Sequence, residues 1–346
     1  MSERPSLVTR IRNRLAQAAR RRRFSRTVAH VHGENFVVPE GAVLAIVLVR
    51  DGAYYLDDFL RYYRAMGISH FAFIDNGSTD DTIALLRGEA GCVVDRAVLP
   101  LAQYEDLMRA YPAQKYGQNR WCLYVDMDEQ FDFIGNGAQG LPALVRYLEA
   151  RGDTALMAQM LEMFPKAPLA QVSDLDYTAA LEAFTYYDIS TVDSYDYHSD
   201  QIAFGALLRE NRVPSDALKF KFGGVRGKVF GEACCLTKHP LIFNGAGVIP
   251  APHPHLSQNV QVSDFSALIR HYKFAGNVAA RDAATAASGD LAHGEDAARL
   301  EVLRAQEALT LYSQDAQNWR GMEPLYDAGF LTDSAAYRRF LSEQSA

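Results

Sequence analysis

The feature that most restricts how this chain can fold is the alternation that begins at residue 42. Ala42 to Val49 is an unbroken apolar run of β-formers, ended by Arg50-Asp51-Gly52, as expected of a strand buried on both faces. Directly after it, Tyr55, Leu56, Phe59, Leu60, Tyr63 and Met66 recur at helical spacing, and Gly67 stands where such a helix would stop. Phe71 to Ile74 predicts a second strand and Asp75-Asn76-Gly77 a turn, while Ser78 with Asp81 predicts the capped start of a helix reaching Arg87. Cys92 to Val94 opens a third strand, and Trp121 to Val125 forms a later one. Strand and helix in turn, with short connections, predict an α/β fold whose mostly parallel sheet is flanked by helices and wound right-handedly.

Residues 42–130 make up this half. Residues 131–275 are rich in Tyr and Asp between 186 and 197 and show no long periodic segment up to 220, which suits loops and short strands over a cleft. Beyond 276 the sequence turns Ala-rich, with Ala297, Leu300, Leu303 and Leu309 as an apolar stripe, and predicts a C-terminal helical extension. With 346 residues, 49% of them hydrophobic and 22% charged, the chain can bury a large core and is not of the disordered class. The run at 42–49 is far short of the roughly 20 apolar residues that cross a bilayer.

Charge is distributed unevenly. Residues 1–33 hold nine Arg and one Glu, so +8, which leaves −15 for the rest of a chain whose total is −7. Leu7, Ile11 and Leu15 recur at i, i+4, i+8 among the arginines, which predicts a basic amphipathic arm. Residues 1–30 can attach to an anionic membrane surface, where each basic residue adds about 1 kcal/mol; a solvated arm is the alternative. Cys92, Cys122, Cys234 and Cys235 show no metal-site or disulfide spacing, so reduced thiols and a cytoplasmic location, peripheral at the inner membrane face, are expected. The acidic body argues against specific nucleic-acid binding.

The chemistry concentrates at Asp126-Met127-Asp128-Glu129, directly after the apolar Trp-Cys-Leu-Tyr-Val run. In extended backbone, Asp126 and Asp128 would share one side and Glu129 would lie opposite. Two adjacent carboxylates at the carboxyl end of a parallel strand suit Mg²⁺ or Mn²⁺, completed by substrate phosphates; a solvated turn or helix cap is the competing reading. Asp75, Arg50 and Asp51 end neighbouring strands and would face the same crevice, although a capped turn also explains Asp75.

Taken in order, Val49-Arg50-Asp51, Ile74-Asp75-Asn76-Gly77-Ser78-Thr79-Asp80-Asp81-Thr82 and Tyr124-Val125-Asp126-Met127-Asp128-Glu129 resemble a family-2-type glycosyltransferase of GT-A fold. Later stretches are similar as well: Gly223 to Phe230, Lys238-His239-Pro240-Leu241, His253-Pro254-His255-Leu256, His271-Tyr272-Lys273-Phe274 and Trp319 to Phe330. The resemblance spans most of residues 43–331 and leaves out the arm. It implies a nucleotide-sugar donor and a glycan or lipid-linked acceptor. Asp75 would contact the nucleoside, Asp126 and Asp128 would hold Mn²⁺ or Mg²⁺, and a later histidine, His255 or His271 with a preference for His255, would complete the metal site. Arg226, Lys228 and Lys273 would neutralise phosphate oxygens, and Arg50 and Asp51 would line the donor pocket. Glu129, Glu162, Asp188 and Asp196 are the candidates for the base of an inverting transfer. The chain departs from the family pattern at Asp51-Gly52, where Asn-Glu is usual, and at Pro254, which interrupts a paired histidine. A sugar nucleotidyltransferase and a non-catalytic membrane-associated nucleotide-sugar or glycan-binding protein are the alternative readings.

Overall fold

The computed structural model describes residues 6–288, 295–306 and 308–344. Its strands are β1 (Ala29–His32), β2 (Val43–Val49), β3 (His70–Asp75), β4 (Cys92–Arg96), β5 (Trp121–Tyr124), β6 (Glu129–Asp132), β7 (Ala155–Glu162), β8 (Thr237–Phe243) and β9 (Val262–His271). They form one mixed, mostly parallel sheet in the order β1-β4-β3-β2-β5-β8-β7-β9-β6. Because β2, β3, β4 and β5 are parallel, β8 is antiparallel to both β5 and β7, and β9 is parallel to β7, six strands point the same way. Their carboxyl ends therefore open on one edge. β6 and β8 run oppositely, so they begin at that edge.

The helices used below are α1 (Leu7–Thr27), α2 (Leu56–Ala65), α3 (Thr82–Leu86), α4 (Leu101–Tyr116), α5 (Gly140–Arg151), α6 (Tyr177–Ala183), α7 (Gly224–Phe230), α8 (Val278–Ser288), α9 (Glu295–Ala305) and α10 (Ala335–Gln344). Strand β2 shows why an unbroken apolar run is needed. Val43, Ala45, Val47 and Val49 pack in the layer of Leu56, Phe59, Leu60 and Tyr63 from α2, whereas Leu44 and Ile46 pack with Ala113 and Tyr116 of α4. Tyr63 also ties α2 to the sheet: its hydroxyl donates to the Glu129 carbonyl at 2.9 Å and accepts from the Phe131 amide at 3.1 Å.

The middle of the chain differs from its expectation. It contains α5 and the fully buried strand β7, Ala-Leu-Met-Ala-Gln-Met-Leu-Glu. These residue types favour helix, but pairing with β8 on one side and β9 on the other overrides that preference. The capped helix start expected at Ser78 and Asp81 is also displaced. Helix α3 begins at Thr82 with no side-chain cap from Asp81, because Ser78 Oγ accepts the Asp51 amide instead, at 2.9 Å.

The basic arm forms a helix of two unlike parts. Near its end Phe24, 5% exposed, packs against Tyr111 with ring centroids 5.7 Å apart, a burial worth about 2 kcal/mol. Arg20 bonds Asp106 and donates to the Gln103 carbonyl, docking α1 on α4. Earlier in the helix, Ile11 and Leu15 are 50% and 66% exposed. No helix among the described residues is long and apolar enough to cross a membrane.

Candidate active site at the carboxyl edge of the sheet

Two loops at this edge are tied together by polar contacts. After β2, the amides of Asp51, Gly52 and Ala53 donate to Ser78 Oγ, Thr82 Oγ1 and Asp80 Oδ2 at 2.9, 2.7 and 3.0 Å. Asp51, held at φ 54°, returns Oδ1 to the Thr79 and Asp80 amides at 2.6 and 3.2 Å. Asp75 turns away from the cavity. Its oxygens accept the Gly77 and Ser78 amides at 3.1 and 2.9 Å and pair with Arg96 at 3.1 Å, and the residue is fully buried. The residue of this strand end that lines the cavity is its neighbour Asn76.

Asp126 to Glu129 do not continue the strand. They make a turn, closed by the Glu129 amide on the Asp126 carbonyl at 3.1 Å, that reverses β5 into β6. The turn changes the expected arrangement of side chains. Asp126 accepts from Arg109 of α4 at 3.2 Å and from Lys238 at 3.1 Å. Glu129 lies on the same side as Asp126, because it also binds Lys238 and its Oε2 accepts the Asp126 amide at 3.1 Å. Lys238 arrives here because β8 starts at the edge where β5 ends. Burial alone would raise the Asp126 carboxyl, but Arg109 and Lys238 hold it well below the usual carboxylate range. For Glu129, 1% exposed, burial prevails over Lys238 and raises it.

Asp128 faces a different partner. Its Oδ2 lies 3.3 Å from Nε2 of His271, at the end of β9, and Nδ1 of that ring lies 2.9 Å from Glu162 Oε1, at the end of β7. Burial would lower the imidazole, yet the Glu162 and Asp128 carboxylates push it up to about 9. His255, the histidine preferred on the sequence, has its Nδ1 2.9 Å from the Thr237 carbonyl, and burial, with Lys238 next, holds its ring well below the usual range. His271 comes to Asp128 because β9, paired with β7, delivers residue 271 to the edge, while His255 lies within electrostatic reach of Lys238 and Arg109.

A cavity of about 900 Å³ adjoins this cluster, within the usual size of ligand pockets. Arg50, Asp51, Tyr55, Asn76, Arg109 and Arg281 are among its walls. Arg281 donates to Tyr55 Oη at 2.6 Å and to the Lys273 carbonyl. The Lys273 side chain lies in the electrostatic range of Asp128, and burial followed by Arg226 lowers its ammonium. Two expected donor cations are placed otherwise. Arg226 is buried between Glu162 and Glu232, and Lys228 binds Asp188 and Asp315, each at 2.8 Å. None of Glu129, Glu162, Asp188 and Asp196 lines the cavity, and Asp196 pairs with Lys219 on a separate two-stranded antiparallel ribbon. The carboxylates on its walls are Asp51, Glu105, Asp174 and Asp176. Glu105 and Arg109 are four apart on α4, so an i,i+4 reading of that helix was the signal available for them; for Asp174 and Asp176 there was none.

The fit to a divalent cation can be read from the donor set. Among the described residues, no three His, Cys, Asp or Glu side chains converge on a metal-sized point. Asp128 and His271 do form a pair at 3.3 Å, close to the roughly 3 Å between neighbouring ligands that are each ~2.1 Å from one ion. Glu162 orients the other ring nitrogen, as carboxylates do behind metal-bound histidines, and its Oε2 is buried without a hydrogen-bond partner. These residues suit a two-ligand site completed by substrate oxygens, while Asp126 is engaged by Arg109 and Lys238. No protein-family model matches the chain, and no curated protein matches it.

Proposed function

We propose that the chain is a glycosyltransferase of GT-A type that moves a sugar from a nucleotide-sugar donor to a glycan or lipid-linked acceptor with the help of Mn²⁺ or Mg²⁺. The observation that carries this reading is the Asp128–His271–Glu162 arrangement beside a cavity with arginines on its walls, at the edge where open α/β sheets bind ligands. Breaking the sugar C1–O bond places growing negative charge on the departing nucleoside diphosphate. Asp128 and His271 would hold the cation, which when bound acts as a Lewis acid toward that leaving group. Arg109 and Arg281 on the cavity walls would add fixed positive charge around the same volume, a preorganised field that needs no rearrangement as the bond breaks, with Lys273 behind them near Asp128. Asp174, exposed on the loop before α6 at the cavity wall, would take the proton from an acceptor hydroxyl, whereas Asp176 beside it caps α6 by accepting the Ala179 amide at 2.8 Å.

The amides after β2 tell against a nucleotidyltransferase. Such an enzyme cradles a triphosphate with the backbone N–H groups of this loop, whereas those of Asp51, Gly52 and Ala53 are taken by Ser78, Thr82 and Asp80. The exposed Ile11 and Leu15 among the arginines of α1 support attachment to an anionic membrane, where a lipid-linked acceptor would reside.

The decisive experiment screens nucleotide sugars with Mn²⁺ for thermal stabilisation, then measures turnover of the one that binds. Asp128→Ala should lower kcat at least ~100-fold with the circular dichroism spectrum unchanged. Full activity in that variant, or pyrophosphate release from a nucleoside triphosphate by the wild type, would overturn the reading.

A further inference from the structure

The metal-binding pair is the near end of a longer row of buried charges. Asp128 meets His271, and His271 meets Glu162. Arg226 of α7 lies 3.4 Å from Glu162 and donates through Nε to Glu232 at 2.6 Å. Arg299 of α9, itself 0% exposed, donates from Nη1 to Glu232 at 2.7 Å. Its Nε and Nη2 fork onto Asp282 of α8 at 2.7 and 3.1 Å. The signs alternate from one end to the other, and besides Asp128 the residues come from five separate stretches of the sequence.

Stability alone gives a poor account of this row. Buried ion pairs carry a desolvation cost that often matches their attraction, and apolar replacements of the same volume are frequently no less stable. What the row does supply is geometry. An Arg fork fixes a carboxylate in two directions at once, and Glu162 and Glu232 are each shared between two cations. The far end is attached to the cavity, because Arg281, adjacent to Asp282 on α8, is a wall residue that also grips Tyr55.

We propose that helices α8 and α9 set the position of the Asp128–His271 pair through this row, with Arg299 as its positioning residue, so that the cavity wall and the metal-binding pair move as one unit. The inference rests on the glycosyltransferase reading only in taking Asp128 and His271 as metal ligands. Outer partners of metal ligands change affinity by roughly 10- to 100-fold when removed.

The test measures Mn²⁺ binding to the full-length protein, with the metal alone and no donor, by the loss of the free-ion electron paramagnetic resonance signal. Arg299→Lys keeps the charge and loses the fork; Asp282→Asn keeps Arg299 on Glu232 and carries the test if Arg299→Lys does not fold. Each should bind Mn²⁺ about three- to tenfold more weakly with native circular dichroism. Tyr337→Leu, a core change away from the row, should leave Mn²⁺ affinity within about twofold. Unchanged affinity in folded Arg299→Lys or Asp282→Asn would overturn the positioning role while leaving the glycosyltransferase reading intact. Weakening by Tyr337→Leu equal to theirs would overturn it too, by reducing the effect to general loosening. Failure of the wild-type protein to bind Mn²⁺ both alone and with a nucleoside diphosphate present would remove both.

Discussion

The two halves of the sheet meet at one edge and settle their charges there in opposite ways. In the parallel half, a carboxylate is satisfied close to home: Asp75 by the amides of Gly77 and Ser78, and Asp51 by those of Thr79 and Asp80 in the next loop. Across the boundary, Asp126 and Glu129 are neutralised by Lys238, 112 and 109 residues further on, and Asp128 faces His271. Local satisfaction makes rigid turns. Long-range satisfaction makes a site whose charge balance exists only when the chain has folded.

The sharpest way to break this contrast is to remove the shared cation. Lys238→Met leaves Asp126 and Glu129 without their common partner in a buried site, and should cost about 3–5 kcal/mol in urea denaturation; adding Glu129→Gln should recover part of it. A loss under 1 kcal/mol for the single variant would mean that the mixed half does not balance the parallel one. A smaller effect is expected from the neutral histidine of β8. Burial lowers His239 to about 4, and its ring lies 3.1 Å from Tyr197 Oη. Since the unfolded chain protonates this group near 6.5 and the folded chain only near 4, the unfolded state binds more protons between these values, and stability falls as pH drops through that window. The loss from pH 7 to pH 4.5 should be on the order of 2–3 kcal/mol and should shrink in His239→Asn; the same acid sensitivity in both proteins would refute it.

Within the parallel half the effects should be modest. Asp51→Ala removes bonds that are local and partly exposed, so about 1 kcal/mol is expected, with Tm falling and Mn²⁺ affinity unchanged. A loss as large as that of Lys238→Met would erase the distinction between the halves. An effect of the same size, on binding and not on stability, concerns the arm outside both. Arg14→Gln should weaken binding to phosphatidylserine vesicles about fivefold, the equivalent of ~1 kcal/mol per basic residue, with no change on neutral vesicles; identical binding to both would leave the arm a solvated one.

The same contrast explains what was legible in the sequence. Strands β2, β3, β4 and β5 and helix α2 announce themselves by period and by turn residues, because each is specified by neighbours in the chain. Strand β7 does not, since its Ala, Leu, Met, Gln and Glu become a strand only between β8 and β9. At the site, the acidic turn at Asp126 to Glu129 was legible, but its partners were not. Nothing near Lys238 or Arg109 signals a carboxylate more than ten residues away, and choosing His271 over His255 needs the register of β9 against β7. The expected helix cap at Ser78 failed for a related reason, as a second loop 27 residues earlier claims its hydroxyl.

The reciprocal bonding of the two loops after β2 and β3 has a consequence for anyone who wishes to re-engineer this protein. Residues 50–53 and 78–82 hold one another through amides, hydroxyls and carboxylates that run in both directions, so they form a single exchangeable cassette. A library that diversifies one loop while freezing the other would mostly sample broken hinges, whereas a graft that carries both would transplant one wall of the cavity whole.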